Sequence, residues 1–237
     1  MTDLRLYNPR EFEDPLLVLG PEYIVALLEQ EDAVWFYEGE PSADRPHAEL
    51  TSGLCSNGFA DCLRILRYPN IAEILGLQLA RLLRKSGIDR VDWVVSSSYA
   101  AITFGHEVAK ALRAVFMLAE KDPSDPQGKK MVWCRMTIPE GARVLQVEEL
   151  ITTSGTFQEV RRAVEEGNAV KPVEFIPEVA ALVHRPASLP IEYDGRRVIA
   201  LLERAIQSFD PKECPYCQVG SLRYRPKSHW KELTGKS

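Results

Sequence analysis

Arg143–Phe157 reads RVLQVEELITTSGTF, and the order of residue types in it decides the fold. The apolar run Arg143–Val147 predicts a buried central strand. Two adjacent acids follow, Glu148 and Glu149, then a turn rich in hydroxyls, Thr152–Thr156, and then a helix over Thr156–Glu166 that Gly167 ends. In an open parallel sheet, ligands bind beyond the carboxyl ends of the strands. A turn entering a helix presents unpaired N–H groups and the positive end of the helix dipole, which together make an anion site. Thr152, Thr153, Ser154 and Thr156 add hydroxyl donors around Gly155. Two carboxylates just ahead of that turn do not hold a phosphate. They suit the hydroxyls of a sugar attached to it, or positive charge growing on the sugar ring. The competing reading is a plain strand–turn–helix whose acids face solvent, because such turns are common in parallel-sheet proteins.

Outward from this segment the pattern alternates. Upstream, Pro21–Gln30 has helical apolar spacing, and Asp44–Asp61 is polar and turn-rich with short extended pieces. Asn70–Lys85 reads as a strong amphipathic helix, with Ile71, Ile74, Leu75, Leu79, Leu82 and Leu83 on one stripe and Gly87 as its stop. Then come a strand at Val91–Val95, a helix at Ala101–Leu112 and a strand at Ala114–Ala119. A polar loop, Glu120–Lys130, leads to a strand at Met131–Met136. Downstream, Val173–Phe175 and Val179–Val183 supply strands and Arg197–Phe209 a final helix. The expected fold class is α/β, an open and mostly parallel sheet with helices on both faces. Both ends break the alternation, so three segments are expected: residues 1–69, a core over 70–209, and a tail over 210–237.

With 237 residues the chain is long enough for one full domain with a large core. A formal net charge of -5 argues against a general nucleic-acid-binding surface, which needs a basic excess. No apolar run approaches the length that spans a bilayer, so no membrane partner is expected, and Met1–Arg10 lacks a signal-peptide core. A cytoplasmic location follows as the expectation. Five cysteines, an odd number, do not form a secreted disulfide framework, so the thiols are read as reduced.

The central segment resembles the PRPP motif of the type I phosphoribosyltransferases, enzymes that use 5-phosphoribosyl-1-pyrophosphate (PRPP), and the chain is most similar to the orotate branch. The resemblance implies the type I phosphoribosyltransferase fold, with Glu148 and Glu149 at the ribose and Thr152, Thr153, Ser154, Gly155 and Thr156 around the 5-phosphate. The second acid is usually Asp, and Ser154 stands at a usual Gly, which fits only where the backbone avoids a positive φ. Val94–Ala101 (VVSSSYAA) resembles the pyrophosphate loop, implying roles for Ser96, Ser97, Ser98, Tyr99 and Ala100; glycines are usual at Ser96, Ala100 and Ala101. Ala119-Glu120-Lys121 and the polar loop after it resemble the mobile catalytic loop. Lys121 falls at a pyrophosphate-contacting lysine, with Lys129 and Lys130 as weaker candidates. Leu50–Phe59 (LTSGLCSNGF) is similar to the base-bracketing N-terminal hood, where Ser52, Gly53 and Phe59 match. Thr51 stands where many members have an orotate-binding lysine, and Cys55 where a subgroup has His. Arg185 matches an arginine that meets the orotate carboxylate, although an Arg just past a strand is also an ordinary surface residue.

The implied activity is transfer of phosphoribose from PRPP to orotate or a related carboxylated base, as in pyrimidine nucleotide synthesis. Mg2+ would be held mainly by PRPP, and the enzyme would be a homodimer. Substituted loops leave two alternatives open: a PRPP- or nucleotide-sensing module that has lost catalysis, and a transferase for another base. The tail Cys214–Trp230 (CPYCQVGSLRYRPKSHW) resembles an extension of one subgroup. Its C-x-x-C makes Cys214 and Cys217 candidate zinc ligands, yet with His229 the tail offers three ligands where a closed site needs four. The competing reading is a reduced, packed turn on a basic solvated arm bearing Arg223, Arg225, Lys227 and Lys231. His47, His106 and His184 read as structural.

Overall fold

Ile71, Ile74, Leu75, Leu79 and Leu83 recur at helical spacing, and in the computed structural model all five are buried on one face of α3 (Pro69–Lys85). The structure describes residues 3–12, 14 and 16–235. Leu82 sits half-buried at the edge of the stripe. Before α3 lie α1 (Pro21–Glu29) and the single turn α2 (Leu63–Leu66). α3 packs on α4 (Ala101–Leu112) so closely that a Cβ on Gly76 would lie 2.8 Å from the carbonyl carbon of Glu107. Only glycine permits that approach. Truncating one of these buried leucines, such as Leu79→Ala, costs about 2–5 kcal/mol.

Four short strands precede the main sheet: β1 (Val34–Phe36), β2 (His47–Glu49), β3 (Cys55–Ser56) and β4 (Gly58–Ala60). The main sheet contains β5 (Trp93–Ser96) and β6 (Val115–Leu118). After the hairpin β7 (Glu120–Lys121) and β8 (Met131–Val132) it continues with β9 (Arg143–Ile151), β10 (Glu174–His184) and β11 (Val198–Glu203). Its five strands are all parallel, in the order β11-β10-β9-β5-β6, with β9 at the centre. Leu145, Val147, Ala180, Leu182 and Leu202 share a core with the stripe of α3. On the opposite face Val95 and Val144 pack with Val160, Ala163 and Val164 of α5 (Gly155–Gly167). Helices therefore cover both faces, as the alternation predicts.

Three expectations need correction. Arg197–Phe209 is not a helix: β11 pairs in parallel with β10, Val198 opposite Val179 through Glu203 opposite His184, and β12 (Ser208–Phe209) follows. The apolar run Val198–Leu202 is short and opens with two β-branched residues. Periodicity does not separate strand from helix over such a length, and the free ladder edge of β10 decides it. Met131–Met136 shortens to the two residues of β8, which close Glu120–Lys130 into an antiparallel hairpin with β7. Val173–Phe175 and Val179–Val183 join into one strand, β10, whose register shifts between Phe175 and Val179. Pro177 lies within that shift and has no N–H for the ladder.

The tail is not a solvated arm. β12, β3, β2 and β13 (Arg223–Tyr224) form a four-stranded sheet in that order, so residues from both ends of the chain interleave. α6 (Pro215–Gln218) and α7 (Trp230–Thr234) complete it, and the Trp230 ring packs edge-on against Phe59 at 6.0 Å. Among the described residues no helix is long and apolar enough to cross a membrane.

Candidate active site

The winding of the main sheet reverses between β5 and β9. From β5 the chain passes through α4 to β6 on one side; from β9 it passes through α5 to β10 on the other. Such a switch point opens a crevice at the strand ends. Both acids lie there, on the strand itself, because β9 runs on to Ile151 past the predicted end at Val147. Glu148 is 2% exposed. Its carboxylate accepts from the Ser97 hydroxyl at 2.5 Å and from the Ser97 backbone N–H at 3.2 Å. Burial pushes its pKa up to about 8, with the Glu149 charge adding to the rise and the Ser97 bonds opposing it. Glu149 remains half-exposed, and its pKa is raised, chiefly by burial and also by the charge of Asp61.

The turn after β9 accommodates its serine. Ser154 has φ -76° and ψ -11°, right-handed rather than left-handed, so the usual glycine is not required. No side chain caps α5, and a Cβ on Gly155 would meet nothing within 4 Å. Thr153, Gly155 and Thr156 line a cavity of about 820 Å³ together with Lys121, Lys129 and Lys130 of the hairpin. The structure thus brings the hydroxyl turn and the three lysines to one cleft; the acids and Ser96–Ala100 do not line it. Lys121 donates to the Gly128 carbonyl at 2.6 Å, and Lys130 pairs with Asp122 at 3.3 Å. Thr152 lies at the inner side of the turn, half-buried.

At the end of β5, Ser96 is buried and donates to the Ser97 carbonyl at 3.1 Å. The Ser98–Tyr99 peptide is cis. Ser98 Oγ is closed from solvent without a hydrogen-bond partner, whereas Tyr99 is 76% exposed. Ala100 is right-handed helical (φ -65°, ψ -33°), so alanine there carries no backbone penalty.

A second cavity, of about 540 Å³, gathers Thr51, Ser52, Phe59 and Arg185. Gly53, at φ +83°, makes the tight turn behind Ser52 without lining the cavity. The Arg185 backbone N–H donates to the Ile151 carbonyl at 2.8 Å, which seats the residue beside the turn Thr152–Thr156. Its Nε is closed from solvent and has no hydrogen-bond partner, and burial holds the guanidinium pKa below its usual value. The far wall is the tail: Arg225, Pro226, Lys227 and Ser228. Arg225 pairs with Glu49 at 2.9 Å. Sequence reading missed this wall, because nothing local in a basic segment says which surface it covers.

The histidines divide. His184 is buried, bonded to Glu203 at 2.6 Å and to the Tyr193 hydroxyl at 3.2 Å. His106 lies at the surface beside Glu107. His229 bonds Ser228 and stacks on Tyr224. His47 is different: it is fully buried and sits with Cys55, Cys214 and Cys217, their ligand atoms all within 4.8 Å of one another.

No protein-family model matches the chain. Curated relatives do. An orotate phosphoribosyltransferase of Caldicellulosiruptor bescii is 31% identical over 186 residues, covering 78% of this chain and 90% of the relative. That of Heliobacterium modesticaldum is 32% identical over 184 residues, covering 77% and 89%. The crystal structure of orotate phosphoribosyltransferase from Aeropyrum pernix superposes with a TM-score of 0.54 at 18% identity. It covers 76% of this chain and 93% of that one, a likeness of fold. Sequence identity of this extent over nine-tenths of a relative's length places the chain in the orotate phosphoribosyltransferase family.

Proposed function

We propose that the protein transfers phosphoribose from PRPP to a ring nitrogen of orotate. A bond forms from that nitrogen to the anomeric carbon as the bond to pyrophosphate breaks. The observation that carries the choice of base is Arg185, which lines a cavity beside the phosphate turn and whose buried Nε has no hydrogen-bond partner. A guanidinium in that position matches a carboxylate as a two-point donor. Across the cavity Arg225 is paired with Glu49 and Lys227 with Asp61, which leaves Arg185 as the cation for an entering carboxylate, and Phe59 offers an apolar face to a flat ring. Ser52 and Gly53 turn the backbone toward the same base.

In this reading the N-terminus of α5, with Thr152, Thr153, Ser154, Gly155 and Thr156, holds the 5-phosphate. Glu149 faces the ribose as its ring becomes cation-like, with Glu148 buried behind it on Ser97, and Ser96–Ala100 with Lys121 bind the pyrophosphate. Mg2+ is implied by the family. Glu149 suits a hard cation nearby: a half-exposed carboxylate whose pKa is raised by burial and by the Asp61 charge. When bound, the ion neutralises charge on the departing pyrophosphate. Residues 1–69 act as the hood over the base, 70–209 as the transferase core and 210–237 as the hood's outer wall. The working assembly is a homodimer, in a thiol-reducing compartment such as the cytoplasm.

A second reading, a PRPP-binding regulator with weakened catalysis, is favoured by the glycine-poor loop Ser96–Ala101 and by Thr51 in place of a lysine. Pyrophosphate release from PRPP with magnesium, across a panel of bases, separates the two. Orotate-dependent release supports the transferase, release with an uncharged base alone reassigns the substrate, and PRPP binding without release supports the regulator.

A further inference from the structure

His47 lies on β2 and Cys55 on β3, while Cys214 caps α6 and Cys217 lies within it; Cys55 and Cys217 are 162 residues apart in sequence. Folding brings Cys55 Sγ to 3.6 Å from Cys217 Sγ. It also brings His47 Nε2 to 3.6 Å from Cys214 Sγ and 3.5 Å from Cys217 Sγ. We propose that these four side chains form a structural zinc site, Cys3His, that clamps the C-terminal tail onto the hood.

These three separations fit the ion, and the whole cluster, within 4.8 Å, needs only a small contraction to close on it. A tetrahedron with Zn–S bonds of about 2.3 Å and a Zn–N bond of about 2.0–2.1 Å has S···S edges of about 3.8 Å and S···N edges of about 3.6 Å. A disulfide needs its sulfurs at about 2.05 Å, and pairing two of three clustered thiols leaves the third alone. All three cysteines are free.

The histidine is set up to ligate through Nε2. Its Nδ1 lies 2.8 Å from the Ser221 hydroxyl, and that hydroxyl spends its single proton on the Arg45 carbonyl at 2.6 Å. Ser221 must therefore accept from Nδ1–H, which leaves the Nε2 lone pair pointing at the thiols. A ring fixed through its second nitrogen is the usual support for a metal-bound histidine. Without a metal, one lone pair would serve two neighbouring S–H groups at once.

Charge and enclosure agree. Zinc with three thiolates carries a net charge of about -1, and Arg223 Nη1, on the strand beside His47, lies 4.0 Å from Cys55 Sγ. Tyr216 stacks on the His47 ring at 5.3 Å, and Tyr37, Trp35 and Phe209 pack around the cluster. Four protein ligands leave no open coordination position, so the site is structural rather than catalytic. It anchors α6 and β13, and Arg225–Ser228, which follow directly, become the outer wall of the second cavity.

Elemental analysis of the full-length protein, purified without chelator or metal-affinity resin from zinc-supplied cells, should find about one zinc per chain. Exchange for cobalt should give the intense visible bands of a tetrahedral ion with thiolate-to-metal charge transfer. Cys55→Ser and His47→Ala should lose most of the metal, and His229→Ala should keep it. Both parent measurements stand even where a ligand variant does not fold. Zinc far below one per chain, an octahedral cobalt spectrum, or loss of metal in His229→Ala but not in His47→Ala overturns the proposal.

Discussion

The Ser97 hydroxyl donates to the Glu148 carboxylate at 2.5 Å, joining the loop that follows β5 to the buried acid near the end of β9. The contact crosses the switch point of the sheet, so it couples the two strand ends that frame the crevice. It also keeps Glu148 inside, where water does not solvate a charge.

Burial sets a pH dependence of stability. The Glu148 carboxyl titrates near 4.5 in the unfolded chain and near 8 when folded. Between those values the unfolded chain has released its proton and the folded chain has not, so stability falls as pH rises through the window. The slope is at most about 1.4 kcal/mol per pH unit. Glu148→Gln, which keeps the shape and cannot ionise, should melt higher than the parent at pH 8 and show a flatter decline from pH 5 upward. Melting curves for the two proteins that run parallel across that range would contradict the buried, neutral carboxyl.

The two halves of the central motif should separate kinetically. Thr156 sits at the helix N-terminus and meets the phosphate in the proposed mechanism, so Thr156→Ala should weaken PRPP binding by about 10- to 100-fold, the worth of a hydrogen bond to a charged group. Glu149 faces the developing positive charge, so Glu149→Ala should instead lower kcat by about 100-fold with little change in PRPP affinity. Calorimetry with magnesium, paired with turnover assays, reads both. Equal losses of affinity in the two variants would remove the distinction, and absence of PRPP binding at millimolar concentration in the parent would remove the mechanism.

Much of this fold was legible because its signals are local. The β9–turn–α5 unit declares itself within fifteen consecutive residues, and Ala101–Leu112 has the predicted helix limits. Val198–Glu203 was not legible: six residues carry too little periodicity, and pairing with β10 chose the strand. The site followed the same rule. Ser154 and Ala100 stand at usual glycine positions, and only the observed right-handed φ shows that neither is strained. His47 and Cys55 are remote in sequence from Cys214 and Cys217, so a spacing motif near either end shows half a cluster. Lys121 was named from its loop, yet its bond to Gly128 is visible only in the hairpin.

Assembly gives a third prediction. The hairpin β7–β8 carries Lys121 on its first strand and Lys129 and Lys130 on a long polar connection, and in the proposed mechanism it serves a dimer. A homodimer is therefore expected, and light scattering at about 10–50 µM, well above the Kd of a stable interface, should return twice the chain mass. A monomeric mass there would count against the proposed dimer.

The base is tested at Arg185. A carboxylate entering a partly dry cavity must be neutralised, because a buried unpaired charge costs several kcal/mol. Thr51 supplies no charge, and Arg225 is already engaged by Glu49. Arg185 lines the cavity and has a buried, unpartnered Nε, and its desolvated guanidinium gains most from an anion. Arg185→Ala should therefore raise the orotate KM, by a loss of roughly 2–5 kcal/mol or tens- to thousands-fold, while PRPP binding changes little. Arg185→Lys should recover only part of the loss, because an ammonium keeps the charge without the two-point geometry. An unchanged orotate KM in Arg185→Ala would make the residue a structural arginine at the end of β10. A parent that ignores orotate yet accepts an uncharged base would overturn the substrate while leaving the phosphate turn and its acids in their roles.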